Sequence, residues 1–186
     1  MSIWPRRGNP LPAHARAWLD PDERVLTFSS TPSGDLVIAT PRGLWISDAA
    51  PRQPAAEKEV EPSGTLLPWE SIVTAKWSAD ALTVVAAEEI EPQIMKRVPA
   101  IILRLRAPED VPRVVRLRVD RSVVVSRRHA VGAGSTVLIV GRRISGQDGL
   151  RWYAVFDRDS DADDPDLRRE ATNLLMSTAA QSMPEL

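Results

Sequence analysis

Cysteine is absent from the sequence. A disulfide framework, a thiolate nucleophile and a cysteine-ligated zinc site are therefore all excluded. Long apolar runs are absent as well, because no stretch approaches the roughly 20 apolar residues of a membrane-spanning helix. Residues 1–7 contain two arginines, but no apolar segment follows them, so the pattern does not predict a signal peptide. We therefore expect a cytoplasmic protein without a transmembrane segment.

Lysine is scarce, since arginine supplies 21 of the 24 basic residues. The net charge of −1 conceals an uneven distribution. Residues 1–95 carry 8 basic and 13 acidic side chains, residues 96–143 carry 12 and 3, and residues 148–186 carry 4 and 9. The middle segment is therefore at +9 and each flank is at −5. Because no aromatic residue lies between Trp77 and Trp152, the stacking residues of a nucleic-acid surface are missing there, and we expect no nucleic-acid partner.

The clearest structural pattern covers residues 66–85. Apolar and polar side chains alternate along it, as expected for a strand with one buried face. The apolar set is Leu67, Trp69, Val73, Ala75 and Trp77, and the polar set is Glu70, Thr74 and Lys76. Residues 78–80 are typical of a turn, and the strand pattern resumes at residues 81–85. We therefore predict a β-hairpin that buries both Trp69 and Trp77 on its inner face.

Short apolar and β-branched segments predict most of the other strands. They lie at residues 25–28, 36–40, 44–46, 100–106, 122–126, 136–140 and 150–156. Residues 49–64 contain three prolines and no apolar pattern, so we predict a mobile loop there. Residues 88–98 are polar and interrupted by proline, and no strand is predicted for them.

Three segments have helical patterns. Residues 12–19 contain good helix formers before Asp20-Pro21 ends the helix. Residues 111–119 fit a helix that begins after an N-cap at Asp110, although their alternating valines and arginines also fit a strand; we favour the helix. The last helix begins after an N-cap at Asp164. Its apolar face carries Leu167, Ala171, Leu174 and Leu175.

Residues 19–26, 36–46 and 67–72 together resemble the bacterial pleckstrin-homology-like domains. In that family, a strand with a proline-aromatic-acid-x-isoleucine motif follows a hairpin with a threonine-x-arginine-x-leucine motif. The resemblance covers residues 19–106 and implies a curved antiparallel sheet or barrel that a helix closes at one end. It does not imply phosphoinositide binding, because residues 29–34 lack the basic cluster that eukaryotic relatives place in their first hairpin.

The predicted fold class is therefore α+β, mainly antiparallel β, with a pleckstrin-homology-like sheet or barrel and a closing helix. We expect residues 1–19 to be an N-terminal segment with a short helix, and residues 20–121 to be the pleckstrin-homology-like domain. Residues 122–181 are expected to form a three-stranded meander and a helix. They are either a separate subdomain or part of the same domain.

No motif in the sequence indicates a catalytic or metal site. Alternate carboxylates at residues 157–164 resemble a calcium loop, but Asp164 occupies the position where an EF-hand needs glycine. Residues 131–136 contain two glycines but no lysine for a phosphate-binding loop. Ser126 and His129 lie near each other in sequence, yet no third group completes a catalytic set. We therefore expect no catalytic residue, no cofactor and no metal, and a protein that is not an enzyme.

The basic middle segment points to a binding surface. Six arginines there can share a surface that attracts an anion or an acidic partner, unless they pair with the acidic segments of the chain itself. They are Arg113, Arg116, Arg127, Arg128, Arg142 and Arg143. We predict a non-enzymatic binding or scaffolding module with a protein partner, and a homodimer is one form of this. The alternative is a binder of an anionic small ligand or lipid headgroup; an enzyme that uses dispersed acidic residues is a third hypothesis.

Overall fold

The computed structural model describes residues 11–47, 64–108, 110–132 and 134–182. Within these ranges the protein is α+β, with eleven strands and three helices. The strands form two sheets and include a curled half-barrel. One strand pairing, between residues 94–96 and 154–156, is parallel, and the other strand pairings in these ranges are antiparallel. The predicted α+β class with mainly antiparallel strands is confirmed.

The first sheet is a four-stranded meander in chain order. Its strands are β1 (Thr27–Ser30), β2 (Leu36–Ala39), β3 (Gly43–Ser47) and β4 (Gly64–Pro68). A one-turn helix, α1 (Ala13–Arg16), precedes them, as predicted for this part of the chain. The first three strands confirm the predicted meander. Of the predicted mobile loop at residues 49–64, residues 49–63 lie outside the described ranges.

The second sheet has seven strands in the order β5-β6-β7-β11-β10-β9, with β8 paired to β6. The strands are β5 (Ile72–Ser78), β6 (Ala81–Glu91), β7 (Ile94–Arg97), β8 (Ile101–Arg104), β9 (Val123–Val131), β10 (Ser135–Arg142) and β11 (Arg151–Phe156). The long strand β6 pairs with β5 on one edge, and with β8 and then β7 on the other. The predicted meander of β9, β10 and β11 thus continues the sheet that begins at β5.

Helix α2 (Val111–Ser122) packs against β5 and also reaches β1 and β2 of the first sheet. The prediction of a helix rather than a strand is confirmed, because Val111, Val115 and Val119 form its buried face. The expected cap at Asp110 is wrong in detail. Its side chain accepts no capping hydrogen bond and instead pairs with Arg113, with 3.0 Å between Oδ1 and Nε.

Helix α3 (Pro165–Gln181) covers one face of β9, β10 and β11. Asp164 caps it as predicted, since its carboxylate accepts hydrogen bonds from the backbone N–H groups of Asp166 and Leu167. Ala171 and Leu175 of α3 pack in one core cluster with Phe156 of β11. No helix in the described ranges is both long enough and apolar enough to cross a bilayer.

The predicted strand at residues 66–77 is interrupted by a turn at residues 69–71. Trp69 lies in this turn and is buried, and its Nε1 donates a hydrogen bond to the carbonyl of Thr40. Trp77 is 37% exposed, so its predicted burial is wrong. It pairs across the hairpin with the buried Leu82, as the alternation implied, but lies beside the turn at residues 79–80, at the end of the hairpin.

The absence of strand structure predicted for residues 88–98 is also wrong. Strand β6 continues to Glu91, and β7 follows after a turn at residues 92–93. Residues 88–91 are exposed, whereas Ile94 and Met95 are buried. The polar composition therefore reflects the solvent-facing end of the hairpin of β6 and β7. The other neighbour of β7 is β11, a strand from a distant part of the chain that pairs with it in parallel.

Candidate functional site

A buried arginine joins the two sheets to the end of helix α2. Arg142, the last residue of β10, is 2% exposed. Its Nη1 donates hydrogen bonds to Ser122 Oγ at 2.8 Å and to the Trp69 carbonyl at 3.3 Å, and its Nη2 donates to the Ile72 carbonyl at 2.8 Å. Two separate segments of the chain, the turn at residues 69–72 and the end of α2, are therefore fixed to one guanidinium group of β10.

The alternation of β10 directs this side chain inward. Arg142 lies two residues after the buried Val140, and residues two apart on a strand share one face of the sheet. β10 runs in regular register with β11 here, whereas β9 contains one extra residue between the partners of Gly141 and Arg142. Gly141 lies beneath the Trp152 ring, and a Cβ at this position would lie 3.1 Å from the ring carbons. Glycine thus permits the close approach of Trp152 at the position before Arg142.

The charge of Arg142 is desolvated without a direct counter-ion. Burial lowers the pKa of Arg142 to about 10, and the nearby Glu70 and Tyr153 oppose this shift. No carboxylate of the described residues lies within 4.0 Å of the guanidinium, whose hydrogen-bond acceptors are neutral. The group remains protonated at neutral pH, so a positive charge lies behind the surface formed by residues 69–72 and the end of α2.

A cleft of about 440 Å³ opens next to this charge, between the two sheets and beside the C-terminal half of α2. Its charged side chains are Arg42, Arg118, Arg121, Arg143 and Glu70. Its apolar wall includes Leu66, Pro68, Trp69 and Ile144. The backbone N–H of Arg143 donates to the Ser122 carbonyl, which holds the segment after β10 against the end of α2.

The cleft arginines differ in their partners. Arg42 pairs with Asp20, and its Nη1 also lies 3.7 Å from Oε2 of the buried Glu23. The side chains of Arg118, Arg121 and Arg143 form no ion pair or hydrogen bond with the described residues. Arg118 is half-buried, and the other two are exposed. Three cations therefore face one cleft with their hydrogen-bond donors available to a ligand.

The six arginines predicted as an interaction surface lie in different surroundings. Three of them form ion pairs: Arg113 with Asp110, Arg116 with Asp120 at 3.5 Å, and Arg128 with Asp157 at 3.5 Å. Arg127 donates from Nη1 to Gln181 Oε1 at 3.2 Å. The expectation that Arg142 is a surface residue is wrong, because Arg142 lies on the buried face of β10 together with Val140. Arg143 lines the cleft.

Four charged residues of the cleft were not predicted from the sequence: Arg42, Arg118, Arg121 and Glu70. The three-residue spacing of Arg118 and Arg121 on a predicted helix is a signal that could have placed these two on neighbouring faces. Arg42 and Glu70 had no such signal. They reach the cleft because the turn from β2 to β3 and the turn from β4 to β5 meet in the folded sheets.

Comparisons with known proteins give no relative for this chain, since no family model, no curated protein and no solved structure matches it. In the part of the chain that the structure describes, no group of three or more His, Asp or Glu side chains could hold a metal ion. The chemistry of the arginine-lined cleft is therefore the basis on which a function is inferred.

Proposed function

We propose that this protein is a non-enzymatic binding module, and that its arginine-lined cleft binds an anionic ligand. The observation that carries this proposal is the set of three arginines, Arg118, Arg121 and Arg143, that face one cleft between the sheets without an ion pair to the described residues. A guanidinium group presents its donors in a planar fork that matches the oxygens of a carboxylate or phosphate. An anion therefore supplies acceptors that the described part of the chain does not offer these arginines.

The size and surroundings of the cleft support the same conclusion. Its volume of about 440 Å³ lies within the range typical of small-molecule sites. The buried charge of Arg142 lies behind one wall, where a lower effective dielectric strengthens its attraction for an anion. The apolar side chains of Leu66, Pro68 and Ile144 provide contact area for the uncharged part of a ligand.

The side chains of the cleft favour binding rather than catalysis. Ser122 is the hydroxyl nearest to the buried charge, but its Oγ donates to the Val119 carbonyl and accepts from Arg142. It is thus engaged in both directions and has no base beside it. Glu70 is the one carboxylate among the described lining residues, so the pair of groups required for acid and base catalysis is missing from this lining.

The wider arginine surface predicted from the sequence is a weaker candidate for a protein partner. Arg113, Arg116 and Arg128 already pair with carboxylates of the chain, and Arg142 is buried. A partner would have to compete with these contacts, although exposed pairs of this kind are worth only about 0–1 kcal/mol each. A ligand of the cleft displaces no ion pair with the described residues at Arg118, Arg121 and Arg143.

We further propose that residues 19–106 with α2 form a pleckstrin-homology-like domain. The order of the elements supports this, since antiparallel strands of two sheets are followed by a helix that packs against both. The test is a sequence profile built from homologues of this chain. A match of that profile to pleckstrin-homology-like domains over these residues is expected, and a match to an unrelated fold would remove the proposal.

Titration with inorganic phosphate at low ionic strength tests the anion site. Saturable binding is expected for the wild type and should be lost in the double variant Arg118→Gln/Arg121→Gln. The matched control is Arg113→Gln/Arg116→Gln, which removes the same charge from the same helix outside the cleft. Equal weakening in both variants would indicate only long-range attraction, and no binding to the wild type would overturn the proposal.

A further inference from the structure

We infer that the ligand of the arginine-lined cleft is zwitterionic, with an anionic group for the arginines and an ammonium group for Glu70. This inference rests on the proposed anion binding and adds the ligand class. It starts from a single carboxylate in a cationic cleft. Glu70 is half-buried among the lining residues, yet it forms no hydrogen bond and no ion pair with the described residues.

The position of Glu70 is fixed by its neighbours in the turn from β4 to β5. Trp69 is buried and hydrogen-bonded through Nε1 to the Thr40 carbonyl at 3.0 Å. Ser71 donates from Oγ to the Pro68 carbonyl at 2.8 Å. The backbone on both sides of Glu70 is therefore held in place. Its carboxylate is presented to the cleft from an ordered turn rather than from a long loop.

A simple anion can bind the arginines but satisfies only part of this arrangement. Its oxygens would gain the guanidinium donors of Arg118, Arg121 and Arg143, but they would also meet the negative charge of Glu70. Like charges in a partly desolvated site oppose each other, and a site that contains one discriminates against ligands that cannot neutralise it. The cleft thus has an attractive and a repulsive element for the same ligand.

An ammonium group on the ligand removes the repulsion and gives Glu70 a direct ion pair, which it does not form with the described residues, where it acts on the buried Arg142 only through its charge. A charge-assisted hydrogen bond to a carboxylate is about twice as strong as a neutral one. The apolar wall of Leu66, Pro68 and Ile144 can contact the short carbon chain between the two charges. The expected class is therefore an aminoalkyl phosphate or an amino acid, in which both charges lie on a small apolar frame.

Phosphoethanolamine and ethyl phosphate provide the test, because they differ in one ammonium group. Isothermal titration should show that the wild type binds phosphoethanolamine at least about tenfold more tightly, the factor expected for one charge-assisted hydrogen bond. In Glu70→Gln the preference should vanish, since phosphoethanolamine weakens and ethyl phosphate binds more tightly. The control is Glu88→Gln, an exposed residue of β6 outside the cleft lining, which should keep the wild-type preference.

The outcomes separate this inference from the proposed function. Equal affinity of the two ligands for the wild type, with an unchanged ratio in Glu70→Gln, would overturn the zwitterion and leave the anion site. No binding of either ligand would overturn both. If the protein binds phosphoethanolamine and also cosediments with phosphatidylethanolamine vesicles, the zwitterion is assigned to a lipid headgroup. Phosphoethanolamine binding without cosedimentation would assign it to a soluble ligand.

Discussion

Arg142 donates a hydrogen bond from Nη1 to Ser122 Oγ across 2.8 Å, and this contact connects the end of β10 with the last residue of α2. The same guanidinium holds the Trp69 and Ile72 carbonyls of the turn between the sheets. The buried contacts and the cleft are therefore built from the same segments. Arg121 precedes Ser122, Glu70 follows Trp69, and Arg143 follows Arg142.

Replacement of Arg142 with alanine is expected to lower the free energy of unfolding by about 2–4 kcal/mol. The change leaves two backbone carbonyls and a hydroxyl without their donor and creates a cavity, and these costs outweigh the relief of a desolvated charge. Urea denaturation measures the difference. Arg143→Ala, which removes an exposed neighbour of the same charge, should stay within about 0.5 kcal/mol of the wild type. Equal losses in the two variants would contradict the structural role of Arg142.

The two tryptophans of the predicted hairpin should now behave differently. Trp69→Ala is expected to cost about 3–5 kcal/mol, the usual range for a large aromatic residue in a core. Trp77→Ala should cost less than about 1.5 kcal/mol, because its ring is 37% exposed at the end of the hairpin. Denaturant titration of both variants checks the contrast. A cost for Trp77→Ala as large as that for Trp69→Ala would mean that Trp77 is buried in solution.

The parts of the fold that depend on local patterns could be predicted from the sequence. The valine stripe of α2, the cap at Asp164 and the turn at residues 79–80 each use residues close together in the chain. The hairpin of β6 and β7 could not be predicted, because its stability depends on the parallel pairing of Ile94 with Ala154. Composition alone describes residues 88–98 as polar, and long-range pairing decides that they are strands.

The site was less accessible to sequence reasoning than the fold. Arg142 and Arg143 are chemically identical neighbours, and only the packing around the end of β10 decides that Arg142 is buried while Arg143 lines the cleft. Arg42 and Arg118 are 76 positions apart and meet because two sheets face one helix. The prediction of a basic surface in the middle segment captured the charge, but it could not show which arginines converge.

The cleft arginines are expected to contribute little to stability. Arg118 and Arg121 form no ion pair with the described residues and lie near other cations, so their charges repel one another. Arg118→Gln/Arg121→Gln should therefore unfold at the same urea concentration as the wild type or at a slightly higher one. The comparison with phosphate binding by the same variant completes the test. A loss above about 1 kcal/mol would assign these residues a structural role instead.

Titration of Tyr153 should report the electrostatics behind the cleft. Burial raises the pKa of Tyr153 above its ordinary value of 10.0; Arg151 lowers it, and Glu70 and Glu89 raise it. Tyr153 is the single tyrosine of the chain, so phenolate absorbance reports this residue alone. We expect a midpoint above 10.0, which Glu70→Gln should lower and Glu88→Gln should leave unchanged. A midpoint at or below 10.0 in the wild type would contradict the burial of the phenol.

The same shift predicts how stability changes in alkaline solution. Because the pKa of Tyr153 is higher in the folded state than in the unfolded state, its contribution is fully present below pH 10 and is lost as the pH rises through the folded value. Arg142 acts in the opposite direction, since its pKa is lower in the folded state and its burial penalty declines from about pH 10 upward. The difference in unfolding free energy between the wild type and Tyr153→Phe isolates the tyrosine. Above pH 10 the wild type should lose unfolding free energy relative to Tyr153→Phe. A difference that stays constant with pH would show that the phenol ionises equally in both states.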